Sequence, residues 1–245
     1  MIKLALVAAL SQANRVDENL QQLKEWTIKA KKEEADLVLF GEAFLHGFQT
    51  MNFTYEEDIE KCFSDGSPVI AELRNFAKDK CIGIGFGYYE NHRGAIYGSY
   101  MILDDQGEVL LNYRRVSKGW KEPQACADYR EGKAFKSFRY QGKELGLMVC
   151  GDFWEDDLLS AIVNMDAVVD AFIWPVHCDY DVTFWEKEER KEYAKRTEIL
   201  AQPVFFINNY SDNPEEAIGG LYHWQQGKTL ASEEMGKEAM LLVEI

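Results

Sequence analysis

The sequence is short of the features that mark several protein classes. Basic residues are scarce: 27 lysines and arginines stand against 42 aspartates and glutamates, a formal charge of −15. That balance argues against nucleic acid and against an anionic membrane surface as partners, since both are bound through lysine and arginine. A locally cationic pocket remains compatible with it. No apolar run approaches the ~18 residues of a membrane span. Met1-Ile2-Lys3 leads into a strand-like segment that lacks a signal-type cleavage site. The five cysteines (Cys62, Cys81, Cys126, Cys150, Cys178) are odd in number, widely spread and without a Cys-x-x-Cys pair. Neither a disulfide framework nor a zinc site is indicated, and a reduced, cytoplasmic protein is expected. The four histidines carry no local cysteine-protease signature.

What is present is a well-patterned core. Hydrophobic residues make up 47% of the 245 positions and aromatics 13%, enough to bury a large interior. Residues 2–9 read as a buried strand. A helix follows from about Glu18 to Glu34, with Leu20, Leu23, Trp26 and Ala30 on one face. ADLVLFGEAF is a second buried strand ending at Gly41-Glu42, which completes a strand–helix–strand unit. Another helix spans roughly 68–78. CIGIGFGYYE is a Gly-rich strand expected to lie close to another backbone. Residues 95–116 form a hairpin about Asp105-Gln106-Gly107, and 117–134 a long loop of the kind that tends to be functional. A second hairpin leads to LGLMVC. A helix then starts at Phe153, a strand covers DAVVDAFIWPV, a long amphipathic helix covers 183–202, and PVFFINNY is a further buried strand. The tail gives one more hairpin around Gln226-Gly227. No linker, low-complexity segment or internal repeat interrupts the chain, so one α/β domain over 1–245 is the economical reading.

Three apolar strands end on chemically capable side chains: DLVLF on Glu42, LLNY on Arg115 and Lys118, and LGLMV on Cys150. In open α/β sheets, sites gather at the carboxyl ends of strands. A thiol at the start of a helix feels the positive end of its dipole, which favours thiolate. Asp152, Glu155, Asp156 and Asp157 oppose this, so a cation or base from elsewhere is required. Singly, each residue reads as a strand terminator or, for the cysteine, a small core hydrophobe. Together, a carboxylate, a cation and a cysteine are the parts of nucleophilic acyl chemistry.

With those residues in view, the chain resembles the nitrilase (carbon–nitrogen hydrolase) superfamily over nearly its whole length. DLVLFGEAFLHGF is similar to the family's strand bearing the general base, with Gly41 in place of the usual proline and Glu42 on the base. GEVLLNYRR is similar to the strand ending Tyr-Arg-Lys, and MVCGDFWED to the Cys-x-Asp nucleophile motif. The resemblance implies a single-domain four-layer α-β-β-α sandwich and a homodimer or higher homo-oligomer, built partly from the helices after Cys150 and around 185–200. It implies a small-molecule amide, omega-amide or carbamoyl substrate attacked by the Cys150 thiolate through an acyl-enzyme, with no metal or organic cofactor. Arg115 stands where the family has lysine, and arginine is longer, planar and a different donor. Arg115 does the lysine's work, or Lys118 is brought in by a shift of the strand end, or the protein binds a small amide or carboxylate without turnover. A nitrilase-like acyltransferase is a weaker reading, because no extra domain or membrane segment serves an acyl donor. Glu122 is the nearest candidate for the family's second glutamate, although counting back from Glu131-Gly132 lands on Ala125. The Gly151 N–H is a candidate oxyanion donor. Trp174, with Trp154 and His177 nearby, is expected to wall the acyl pocket, whose shape is set by loops 48–60, 117–134 and 176–184.

Overall fold

The computed structural model describes residues 1–213 and 215–245. The first strand, β1 (Lys3–Ala8), shows how the layers arise. Leu4, Leu6 and Ala8 face one apolar core while Ala5 and Val7 face another. A strand covered on both faces must be apolar at every position, which is why these segments read as unbroken runs.

In chain order there follow α1 (Val16–Lys32), β2 (Leu37–Leu39), α2 (Tyr55–Asp58), α3 (Pro68–Lys80), β3 (Gly83–His92), β4 (Ala95–Leu103) and β5 (Val109–Arg114). The second half holds β6 (Lys136–Tyr140), β7 (Lys143–Leu147), α4 (Leu159–Asp166), β8 (Ala171–Val176), α5 (Val182–Phe184), α6 (Arg190–Arg196), β9 (Val204–Asn208), β10 (Gly219–Gln225), β11 (Lys228–Met235) and β12 (Ala239–Glu244). Two six-stranded sheets result, ordered β12-β1-β2-β3-β4-β5 and β11-β10-β9-β8-β7-β6. Each has a parallel centre, β1-β2-β3 in one and β7-β8-β9 in the other, with antiparallel strands at its flanks.

Leu39, Ile102, Leu147, Ile173 and Ile207 meet between the sheets. Leu20 and Leu23 of α1 and Ile70 and Leu73 of α3 cover the outer face of the first sheet. Ile162 of α4 and Tyr193 of α6 cover the second, together with Trp185 from the turn between α5 and α6. This is a four-layer α-β-β-α sandwich in a single domain.

In α1, Leu20, Leu23 and Ala30 are buried together with Thr27, and Trp26 packs half-buried against the same core with Lys29 over its ring. Two local readings change. The helix expected from Phe153 begins only at Leu159, after two short 3₁₀ turns. The C-terminal segment does more than close a hairpin: β12 leaves the second sheet and pairs antiparallel with β1 in the first.

Candidate active site

The carboxyl ends of β2, β5, β7, β8 and β9 converge at one end of the sandwich. Past β2, the chain turns at Gly41-Glu42-Ala43 and lies directly on β3. A Cβ at Gly87 of β3 would sit 2.2 Å from the Ala43 nitrogen and 2.7 Å from the Glu42 carbonyl carbon. The Gly-rich strand therefore serves the close backbone approach that its composition suggested. Glu42 is 4% exposed, and its N–H donates to the Val176 carbonyl on the other sheet at 3.3 Å.

Cys150 occupies the turn after β7 with φ +46°, a left-handed conformation that non-glycine residues seldom adopt. Trp174 Nε1 donates to the Cys150 carbonyl at 2.9 Å. The buried Asp152 carboxylate accepts from the Val149 N–H at 2.8 Å, the Ser117 N–H at 2.7 Å, the Val116 N–H at 3.0 Å and the Tyr113 hydroxyl at 2.6 Å. Asp152 thereby ties the cysteine turn to the segment that carries Arg115. The thiol itself lies 3.9 Å from the His177 carbonyl, which accepts from it.

Arg115, 3% exposed, closes the arrangement. Its Nη1 donates to Glu42 Oε1 at 2.7 Å and its Nε to Ser117 Oγ at 2.7 Å. Lys118 is exposed, and its backbone N–H is engaged with Glu155. Among the described residues, the buried cation paired with Glu42 is Arg115, whose backbone N–H extends the β4–β5 pairing by donating to the Gly98 carbonyl at 2.9 Å.

The electrostatics follow from burial. Desolvation pushes the Glu42 carboxyl above its usual range of about 4.5, against the pull of Arg115. Burial opposes the charge on Arg115, yet the neighbouring Glu42, Cys150 and Asp152 together more than compensate and hold it firmly cationic. The Cys150 thiol is pushed up to about 12, first by burial and then by the charge on Glu42, with Arg115 opposing. Burial and the Glu42 charge outweigh the pull toward thiolate expected from a helix start, and Cys150 opens a short 3₁₀ turn in place of a helix. The thiol stays protonated until a base takes its proton. Glu42 Oε2 is buried and has no hydrogen-bond partner among the described residues. The Glu42 carboxyl group lies within interaction range of the Cys150 thiol.

Other expected residues lie elsewhere. Glu122 is exposed and accepts from Gln124, and Ala125 packs beside the Tyr89–Trp120–Tyr129 cluster. Trp174 is fully buried on the helix-covered face of its sheet, stacked with Tyr193 at 5.4 Å, so it supports the cysteine turn from behind. Trp154 is 38% exposed and packs edge-on against Tyr193 at 4.8 Å, because the 3₁₀ turn carries it outward. His177 does lie beside the thiol. Its ring stacks on Phe48 at 4.2 Å, its Nε2 is buried without a partner among the described residues, and burial lowers its pKa to about 4.

Sequence reasoning missed the residues that hold these loops. Asn209 accepts from the Gly41 N–H at 2.9 Å and donates to the Glu42 carbonyl at 2.7 Å. Asn208 bonds both the N–H and the carbonyl of Cys178 at 2.9 Å. The only signal was a pair of amides directly after the apolar run of β9. Among the described residues, no group of three or more His, Cys, Asp or Glu side chains is placed to hold a metal ion, and no helix is long and apolar enough to cross a membrane.

The sequence profile of the carbon–nitrogen hydrolase family matches residues 3–199. The chain belongs to this family. Among curated relatives, it is similar to the glutamine-dependent NAD(+) synthetase of Acinetobacter baylyi, at 24% identity over 68% of this chain and 30% of that protein. It is also similar to N-carbamoylputrescine amidase of Solanum lycopersicum, at 26% identity over 68% of this chain and 57% of the relative. The aligned stretch thus spans less than two thirds of either protein's length. Among solved structures, it superposes on a mutant of the amidase from Nesterenkonia sp. AN1 that shows Michael addition of acrylamide at the active-site cysteine. That match has a TM-score of 0.80 at 18% identity, covering 100% of this chain and 93% of the other, a likeness of fold.

Proposed function

We propose that this member of the carbon–nitrogen hydrolase family is an amidase that cleaves a small-molecule amide, omega-amide or carbamoyl compound through an acyl-enzyme on Cys150. The observation that carries the reading is the buried pair formed by Glu42 and Arg115 at 2.7 Å, set beside a thiol on a strained turn. One Glu42 oxygen is occupied by the cation and the other is left without a partner. Glu42 Oε2 takes the thiol proton as sulfur attacks the carbonyl carbon, and Arg115 offsets the charge that develops on the carbonyl oxygen. Collapse expels ammonia or an amine, which leaves with the proton from Glu42. The same carboxylate then deprotonates a water that attacks the thioester. The resulting carboxylic acid departs, and the proton returns to sulfur.

Phe48 and the His177 ring stack beside the segment whose carbonyl meets the thiol, an aromatic surface that favours a compact, uncharged acyl group. The five free cysteines fit a reducing compartment. Exposed Val163, Phe184 and Ile199 on the helical segments over the second sheet, with Val168 in the turn after α4, offer an apolar face for a homodimer or larger homo-oligomer.

The test is intact-protein mass spectrometry after incubation with small amides, and separately with acrylamide, comparing wild type with Cys150→Ala. The expected result is one adduct per chain at Cys150 near neutral pH, with ammonia released from at least one amide. If Cys150 reacts no faster than the other four cysteines, the site binds without turnover.

A further inference from the structure

We propose that Gly151 and Ser117 form a fitted seat for the Arg115 guanidinium, so that the residue following the nucleophile is size-matched to the cation and positions it. The inference rests on the amidase reading of Cys150, Glu42 and Arg115.

Two of the three guanidinium nitrogens are tied down. Nε is bonded to Ser117 and Nη1 to Glu42. The third, Nη2, lies against the peptide of Gly151. A Cβ at that position would fall 2.5 Å from Nη2, 3.1 Å from Ser117 Oγ and 3.5 Å from the guanidinium carbon. A Cβ at Gly119 would come within 3.3 Å of the same nitrogen. The far end of a long side chain ordinarily swings away from such an overlap. This one cannot, because it is buried and held at two points in a planar fork.

Gly151 is not required by its backbone. Its φ lies outside the left-handed region, whereas its neighbour Cys150 adopts that region with a side chain. Space is therefore the reason for glycine. The absent methyl group lets the cation contact the cysteine turn and the Glu42 carboxylate at once. Gly151 is a positioning residue acting through Arg115, with Ser117 beside it on the same edge of the fork.

The test is a double-mutant cycle of Gly151→Ala with Arg115→Lys, read in kcat and in melting temperature. In the wild-type background, Gly151→Ala is expected to lower kcat on the order of 10²-fold, the cost of an ångström-scale misplacement at a reacting group, and to lower the melting temperature. In the Arg115→Lys background, where no fork occupies the space, the same change is expected to alter kcat by no more than about twofold, the usual scatter of independent sites. Equal losses in both backgrounds would overturn the proposal and leave Gly151 serving the backbone.

Should Gly151→Ala fail to fold, Ser117→Ala takes its place. It is expected to lower kcat in the Arg115 protein and leave it unchanged after Arg115→Lys. Equal losses would again overturn the seat. The melting-temperature cycle reads the steric coupling with no substrate present. Coupled stabilities in a protein that turns over no amide would sink the amidase reading and leave the seat standing.

Discussion

Asn209 and Glu42 are 167 residues apart and belong to different sheets, yet the Asn209 amide donates to the Glu42 carbonyl at 2.7 Å while its oxygen accepts from the Gly41 N–H. One side chain thus clamps the peptide that carries the general base of the proposed reaction. A Cβ at Gly41 would fall 2.5 Å from that same amide oxygen, so glycine there makes room for the clamp. Asn209→Ala is expected to reduce kcat by on the order of 10²-fold while the rate of Cys150 alkylation at high pH, where no base is needed, stays at its wild-type value. Equal loss in both measurements would show that the variant disturbs the whole site.

Glu42 must be ionised to accept the thiol proton, and burial raises its pKa above 4.5. Activity should fall as pH drops through that raised value, so the acid limb of kcat/KM is expected above the ordinary carboxylate range. Glu42→Gln should remove the limb and cost about 10²–10⁴-fold in rate. A limb that persists unchanged in Glu42→Gln would assign the titration to another group.

His177, whose backbone carbonyl accepts from the Cys150 thiol, presents a buried Nε2 that has no partner among the described residues, while its ring stacks on Phe48. His177→Phe keeps the stack and deletes the nitrogen. For the preferred amide, kcat/KM should fall by a factor of a few to about ten, the worth of one neutral hydrogen bond. Alkylation of Cys150 should be unaffected. An unchanged kcat/KM across the amide panel would remove His177 from substrate recognition.

Acid stability gives an independent check on burial. His46 and His177 both have pKa lowered by desolvation from 6.5 to about 4. The unfolded chain takes up protons that the folded one refuses. Each ring's contribution is therefore fully present above pH 6.5 and is lost as pH falls from there toward 4, by about 3 kcal/mol for a shift of this size. Glu42, with its raised pKa, works in the opposite sense, so the comparison must be between variants. His177→Phe should unfold at a melting temperature that declines less steeply between pH 6.5 and 4 than wild type. Parallel declines would mean that the ring is solvated.

Much of the fold was legible because burial on both sheet faces writes itself as continuous apolar strands, and because each helix has a short-period apolar face. Glu42, Arg115 and Cys150 stood out for a related reason. Each is an ionisable group placed just past an apolar run, where the ends of the strands meet. The readings that changed depended on conformation at single positions. A left-handed φ at Cys150 and two 3₁₀ turns redirect Trp154 to the surface, and no periodicity encodes that. Glu122 and Lys118 are exposed and lie away from the buried Glu42–Arg115 pair, a difference in burial that chain distance does not reveal.

Local patterning, then, determined the layers, the alternation of inner and outer side chains and the three strand ends where chemistry is concentrated. The partners of those strand ends were decided by tertiary structure alone. Arg115 is the cation that meets Glu42, an asparagine just past a strand of the second sheet holds the Glu42 peptide, and the cysteine turn is tied down by Asp152. These are contacts between segments far apart in the chain. Such contacts depend on how two sheets come together at atomic range, and a one-dimensional pattern of apolar and polar residues carries no distance between its ends.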